Sequence, residues 1–401
     1  MKICLKGDQL SVWLIAARLL PGLTRGDQLV LGAQHGKLPY LTEVGPPIFD
    51  VLQAFGITPD QFVTHARALY CMGRMLQTLA NPKTYRFPYR FENDSILGWD
   101  SCELMQSGYF TSDLFSPLGK ELIAKSRFVA LPQNVLTKGF IAERGMMVET
   151  SALIESLQSI LQNFSSQAGV DLLHFQGQDQ QNFDHEVLIS IDVEPAVDTE
   201  LSINGPNAAA KINIEQKKEL VTQSTYLNGY SEQTSYKKSL GKPAGIHLQS
   251  QDFGSAVQAE VKISLGFHHL MSSATQAIEI MDLLMPFWGK RLLDRRYLKL
   301  VSKRIEPEIA RLNDLDRYLV GGCENSDAIK AFTTRGYIGN DDYKIVGHRY
   351  LNGFISELDI RASRCNPLLI DQKKVEPLLA YFQHRADFVA NLLTNGDREN
   401  S

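Results

Sequence analysis

A chain of 401 residues that is 44% hydrophobic is long enough to bury a large core, as one large domain or as two to three closely packed ones. Its 41 basic and 45 acidic residues leave a formal charge of −4, with no basic stripe for a run of phosphates, so nucleic acid is excluded as an expected partner. Cys4, Cys71, Cys102, Cys323 and Cys365 are odd in number and contain no C-x-x-C pair, which argues against both a disulfide framework and a zinc site.

The N-terminal segment MKICLKGDQLSVWLIAARLL sets Lys2 and Lys6 before an apolar run, but Arg18 interrupts it and no small-x-small cleavage site follows. A signal peptide is therefore not expected. No stretch approaches the run of about 18 apolar residues that a membrane span needs, and a cytoplasmic location away from membranes is the expectation. Residues 2–6 predict a buried strand, Leu10 to Leu20 a helix, and QLVLGA (28–33) a second strand, together a βαβ unit. Helical periodicity returns at PPIFDVLQAFGI, where Ile48, Leu52 and Phe55 share a face, and again over FVTHARALYCMGRMLQTL. From Asn81 to Phe115 the chain is aromatic and rich in turns, which predicts strands and loops over a cavity. ETSALIESLQSILQNFSSQAGV is a strongly amphipathic helix, with Leu153, Leu157, Ile160 and Leu161 apolar and a glycine at its end.

Alternation in HEVLISIDV, AKINIEQ and ELVTQSTYL predicts strands, and the polar SEQTSYKKSLGKPAGIHLQSQDFGS predicts a loop. VKISLG (261–266) is a further strand leading into the helix SSATQAIEIMDLLMPF, and the last hundred residues, from RRYLKLVSKRIEPEIARLNDLDRYLV onward, are expected to be mostly helical.

A strand, a glycine and an apolar helix suggest a dinucleotide fingerprint, which needs one glycine for the turn, a second for close approach to the pyrophosphate and a third for helix against strand. Taking Trp13 as the residue after the third position puts Gly7, Gln9 and Val12 at those sites. Two of the three carry side chains where the phosphate needs space. The second strand ends in Gly32, Ala33 and Gln34 rather than in an acid for a ribose hydroxyl. On these residues a purely structural βαβ start is the better reading. The neighbouring His268 and His269 point about 100° apart on a helix, or to opposite faces of a strand, so they form no metal site without a third ligand. Cys71, between Tyr70 and Met72 on an expected apolar helix, reads as a packed thiol, with His65 more than one and a half turns away as a surface or capping residue. Asp294, Arg295 and Arg296 read as a solvated helix face or a buried ion pair. Tyr85, Phe87, Tyr89, Phe91 and Trp99 either line a cavity or fill core.

Several segments, in order, resemble the flavin-dependent tryptophan halogenase family of the FAD-dependent monooxygenases. GDQLSVW stands where that family has GGGTAGW, Val44-Gly45-Pro46 and FGITPDQF where it has VGE and LGI, and ALYCMGRML where it has a segment like NATFKLGIRF. The GMMVETSALIESLQSILQNFSSQAGV helix, ISLGFHHL and RRYLKLVSKRIEPEIARLNDLDRYL resemble later family elements over about three quarters of the chain. The resemblance implies an α/β fold with a Rossmann-like FAD-binding layer over residues 1–300, an interleaved antiparallel substrate sheet at roughly 80–140 and 185–255, and a helical region over 301–401. It also implies losses. The family lysine that directs the hypohalous species falls on Cys71, a thiol that would itself be oxidised, and the GD acid falls on Phe267. The WxWxIP segment falls on Ala210 to Glu215, and no Glu-Pro pair follows GFHHLMSSAT.

No cofactor is therefore expected, and FAD is the one to test. If flavin is held at all, the contacts implied are the helix N-terminus at Gly7, Asp8, Gln9 and Ser11, where amides attract anions, and Gly266. The expected role is that of a halogenase-like binding protein without halogenase chemistry; the alternative is an active flavin-dependent oxygenase or halogenase that binds FAD weakly. Expected partners are a small molecule or peptide in the aromatic cleft, or a catalytically intact relative. Gln9, Val12, Phe267 and Met271 are expected to reduce the nucleotide cleft to a smaller, displaced pocket.

Overall fold

The computed structural model describes residues 1–34, 38–71, 73–78, 81–88, 95–96, 99–100, 144–176, 185–203, 210–215, 220–227, 229–237, 245–253, 256–268, 271–319 and 372–399. The chain begins β1 (Lys2–Asp8), α1 (Gln9–Leu19), β2 (Gln28–Gln34), β3 (Leu41–Val44), α2 (Pro47–Gln53), α3 (Pro59–His65), β4 (Leu69–Cys71), β5 (Gly73–Thr78) and β6 (Asn81–Pro88). Two short strands, β7 (Ser95–Ile96) and β8 (Trp99–Asp100), precede β9 (Gly145–Glu149), α4 (Thr150–Ala168), β10 (Asp171–Gln176) and β11 (Val187–Val193). Then come β12 (Asp198–Ile203), β13 (Ala210–Glu215), β14 (Leu220–Leu227), β15 (Tyr230–Lys237), β16 (Gly245–Phe253) and β17 (Ala256–Leu265), followed by helices α5 (Ser273–Leu284), α6 (Arg295–Leu319) and α7 (Gln372–Glu399).

A six-stranded sheet in the order β10-β2-β1-β11-β17-β16 forms the first layer. It is parallel except for its last strand, β16, which runs antiparallel to β17. Ile3, Cys4 and Leu5 are all buried, as expected of a parallel strand covered on both faces. In α1, every residue from Leu10 to Ala17, and Leu19, is buried; a helix that is apolar all round belongs in the core. It packs between the sheet and helices α4 and α5. A second sheet, ordered β12-β15-β14-β13-β5-β6, is antiparallel except where β13 runs parallel to β5. A small antiparallel sheet, β3-β9-β4, lies between these layers in the chain path. Of the stretch 185–255, β11 and β16 belong to the first sheet and β12 to β15 to the second.

Helix α4 follows its pattern, with Leu153, Leu157 and Leu161 fully buried, and it ends at Gly169 in the left-handed conformation (φ 69°). Helix α6 runs along β16 and buries Leu298, Val301, Ile305 and Ile309. Two expectations are overturned. FVTHARALYCMGRMLQTL is helical only through His65: Arg67 turns left-handed (φ 53°), and Leu69–Cys71 pairs with Gly145–Met147 as a strand. Cys71 therefore lies on a strand and not on an apolar helix. The polar SEQTSYKKSLGKPAGIHLQSQDFGS is no loop for most of its length, because Tyr230–Lys237 and Gly245–Phe253 are strands paired along their full lengths. Their polarity reflects antiparallel sheets whose covered faces carry small hydroxyls, among them the buried Thr222, Ser224, Thr225 and Thr234. Among the described residues no helix is long and apolar enough to cross a membrane.

Gly7 is the single surviving fingerprint glycine, and its reason is visible in the sheet. A Cβ placed there would lie 2.7 Å from Ile191 Cβ and 2.9 Å from Ile191 O on the neighbouring strand. Space between β1 and β11, rather than room for a phosphate, requires glycine. Gly7→Ala should destabilise the protein by about 1–3 kcal/mol through overpacking, read as a lowered midpoint in urea unfolding; an unchanged midpoint would contradict the close approach.

Candidate functional site

In a doubly wound sheet, ligands enter the crevice beyond the carboxyl ends of the strands, where the strand order reverses. Here β2 lies on one side of β1 and β11 on the other, so the crevice opens beyond Asp8 and Val193. A pocket of about 420 Å³ lies there, walled by Asp8 and Leu10 from the first βα turn and by Glu194 after β11. Gly266 to His268 after β17, and Tyr236 of the second sheet, complete its sides. Among the described residues no lysine or arginine lines it.

Three backbone amides at the turns that face the crevice are satisfied by the protein itself. Asp8 caps α1, one oxygen accepting from Ser11 N at 3.1 Å. Glu194 Oε2 accepts from Phe267 N at 3.0 Å. Gln276, fully buried, accepts from Gly266 N at 3.3 Å and donates through Nε2 to Gly266 O at 2.7 Å. The two acids each keep a second oxygen, Asp8 Oδ2 and Glu194 Oε1, that is buried and makes no hydrogen bond. A pyrophosphate placed here would meet the unpaired oxygens of Asp8 and Glu194 and, among the described residues, no lysine or arginine in the lining, and to use these amides it would have to displace three internal hydrogen bonds. The residues present do not fit the phosphates of a dinucleotide.

A buried ion pair fixes the far wall. Glu43 on β3 and Arg74 on β5 are almost wholly buried, with Arg74 Nε 2.7 Å and Nη2 2.5 Å from Glu43 Oε2. Arg74 Nη1 also donates to His268 O at 3.1 Å, so one guanidinium holds β3, the second sheet and the loop after β17. Ser272, the cap of α5, donates from its hydroxyl to Glu43 O at 2.5 Å. Glu232 of β15 accepts from Tyr40 N at 2.9 Å and Leu41 N at 2.6 Å, which ties the start of β3 to the second sheet.

Of the residues singled out in sequence, the structure brings Asp8, Gly266, Phe267, His268 and Met271 to this pocket. Val12 is fully buried in α1, and Ser11 contributes the capped amide. Gln9 and Gly7 adjoin the turn without lining the pocket. Cys71 is elsewhere: it is fully buried, and its thiol donates to Gly73 O at 3.3 Å. His65 is exposed at the end of α3, and Asp294 caps α6 by accepting from Arg296 N and Tyr297 N. His269, Tyr89 and Phe91 lie outside the described residues, as do the side chains of Tyr85, Phe87 and Trp99. Among the described residues no group of three or more His, Cys, Asp or Glu is placed to hold a metal ion. Glu43, Arg74, Glu194 and Gln276 escaped the sequence reading. An acid immediately after a buried strand, as in ISIDVE, and one inside an apolar strand, as in LTEV, were the available signals.

Burial pushes the Tyr236 phenol up to about 12; Arg74 draws it down, while Glu232 and Glu194 push it further up. Its ring packs on Phe267 with centroids 4.9 Å apart. A phenol raised above its ordinary 10.0 holds its proton longer folded than unfolded, so its contribution to stability is complete below pH 10 and is lost as the pH rises toward 12. Tyr236→Phe should therefore reduce the loss of stability between pH 10 and pH 12, measured by urea unfolding across that range. Tyr70, also raised to about 12 by burial and Asp60 against the pull of Arg144, supplies a remaining loss of the same sign. An alkaline slope unaltered by the substitution would contradict the burial of Tyr236.

No protein-family model matches the chain, and no curated protein matches it. Solved structures do. BrvH, a flavin-dependent halogenase from Brevundimonas sp. BAL3, is 12% identical, with 97% of this chain and 96% of that one covered at a TM-score of 0.68. Xcc4156, a flavin-dependent halogenase from Xanthomonas campestris, is also 12% identical, covering 97% and 96% at 0.65. A tryptophan halogenase from Shewanella frigidimarina NCIMB 400 is 11% identical, covering 98% of this chain and 95% of its own at 0.64. The chain thus carries, along nearly its whole length, the fold of the flavin-dependent halogenases.

Proposed function

We propose that this protein uses the halogenase fold as a binding protein that neither holds FAD nor halogenates. One observation carries the reading: the amides of Ser11, Gly266 and Phe267, at the two turns that face the crevice, are hydrogen-bonded to Asp8, Gln276 and Glu194. A helix N-terminus binds phosphate because its amides are unsatisfied and its dipole favours negative charge. With Asp8 as the cap, the negative charge is already supplied. Phosphates brought beside Asp8 and Glu194 would add like charges in a poorly solvated crevice, where repulsion is stronger than in water.

The chemistry of halogenation is missing on the same grounds. Cys71 stands at the position the resemblance assigns to the family lysine, buried in β4 with its thiol engaged. It has no ammonium hydrogen bond to offer a reactive halogen species. The pocket walls include several hydrophobic side chains alongside the acids, which suits selective retention of a small molecule.

The purified protein should be colourless, without stoichiometric flavin absorbance. Supplied with chemically reduced FAD, chloride, oxygen and free tryptophan or indole, it should yield no halogenated product by mass spectrometry. Stoichiometric bound flavin, or chlorotryptophan that depends on the protein, would overturn the proposal.

A further inference from the structure

Asp8 Oδ2 and Glu194 Oε1 are buried oxygens of charged side chains without hydrogen-bond partners. Glu194 is nine-tenths buried, and both residues wall the same pocket. A buried carboxylate oxygen left unpaired costs stability unless something supplies a donor or a positive charge. The pairing is not incidental to one strand. Asp8 ends β1 and Glu194 follows β11, its parallel neighbour; the register continued from Lys6 opposite Ser190 sets Glu194 two residues, ~6.6 Å, beyond the position opposite Asp8, so the two acids stand at the mouth of the crevice on adjacent strands. Each is held by a backbone amide on one oxygen, from Ser11 and from Phe267, which fixes the free oxygen in place. Asp198 adds a third acid to the walls, and Glu43, the fourth, is neutralised by Arg74.

Leu10, Leu41, Val193, Leu265, Phe267 and Met271 supply apolar and aromatic walls, which they share with hydroxyl, amide and imidazole side chains such as Thr42, Gln223, Thr234 and His268. Tyr236 brings a phenol to the same walls. Unpaired acids in a lining that also carries apolar side chains suit a head group that is positive, carried on an apolar body.

We propose that this crevice binds a small organic cation, a protonated amine on an aliphatic or aromatic body, with the ammonium between Asp8 and Glu194. The proposal rests on the reading that the crevice does not hold FAD. An ammonium carries three donors and no acceptor, so it has a donor for each free oxygen. A charge-assisted bond of this kind is about twice as strong as a neutral one. An amino acid is a poorer fit than the corresponding amine, because its carboxylate meets the same acids.

The test uses the full-length protein and three probes with one body and different heads: 2-phenylethylamine, 2-phenylethanol and 3-phenylpropionate, titrated by calorimetry. Tryptamine and tryptophan form a second pair, with calcium chloride and FAD titrated in parallel. The amines should bind saturably, the alcohol at least tenfold more weakly, and the carboxylate and tryptophan not measurably. Glu194→Gln and Asp8→Asn should each weaken amine binding at least tenfold. Both substitutions keep an acceptor for the amide now bound, and asparagine still caps a helix, so an unchanged urea midpoint will show that the fold is intact. Equal binding of all three heads, binding of calcium but of no amine, no binding by any amine, or variants that bind as tightly as the parent would each overturn the amine site. Saturable FAD binding would instead overturn the reading beneath it, so the two failures are distinct.

Discussion

The arrangement of the crevice turns on how a few backbone amides are satisfied. In a strand–turn–helix start, unpaired amides at the helix N-terminus are what attract an anionic ligand. Here Asp8 occupies that role toward Ser11, Glu194 toward Phe267, and Gln276 toward both the amide and the carbonyl of Gly266. Each bond is worth little net, of order 1 kcal/mol. Breaking one to admit a phosphate leaves a buried acid beside the newcomer, which costs far more than the bond itself. Internal satisfaction of the amides therefore stabilises the fold and sets the charge of the pocket at the same time.

The second sheet is fixed to this layer by the same device at larger scale. Glu232 accepts from the amides of Tyr40 and Leu41, and Glu43 pairs with Arg74, whose other nitrogen holds the carbonyl of His268. Removing one partner of a buried pair leaves an uncompensated charge, so the pair acts as a tie rather than as a spare. Through Arg74 the loop after β17 keeps its course, and that course places Phe267 N against Glu194. Gly45, whose Cβ would lie 2.9 Å from Thr275 Cγ2, shows how closely the turn after β3 sits against α5. The pocket is thus framed by charged groups that face one another and by glycines that permit close approach.

Much of this frame was legible in the chain. The apolar run after Asp8, the amphipathic α4 and its terminal glycine are local patterns, and each forms the element that its periodicity predicts. Segments whose structure depends on distant partners were not legible. Leu69–Cys71 looked helical because its apolar spacing permits a helix, yet it pairs with Gly145–Met147 across a long separation in sequence. The strand Tyr230–Lys237 is polar because its buried face needs only small hydroxyls and Glu232. The candidate site was half visible. Asp8 and Gly266, singled out from the helix N-terminus and from the resemblance, line the pocket, but Glu194 acts through an amide 73 residues away, and nothing local announces that bond. Gly7 was visible as a glycine and misleading as a motif, since its neighbour is Ile191.

The central claim is that the crevice does not admit the phosphates of FAD. Its most direct measurement is an equilibrium titration of the full-length protein with ADP, the smallest ligand that retains the adenosine diphosphate part of FAD, over a range of ionic strength. At low salt, where attraction to a diphosphate would be least screened, the account predicts no saturable binding. Saturable binding that weakens as salt is added would show amides or cations open to phosphate and would contradict it.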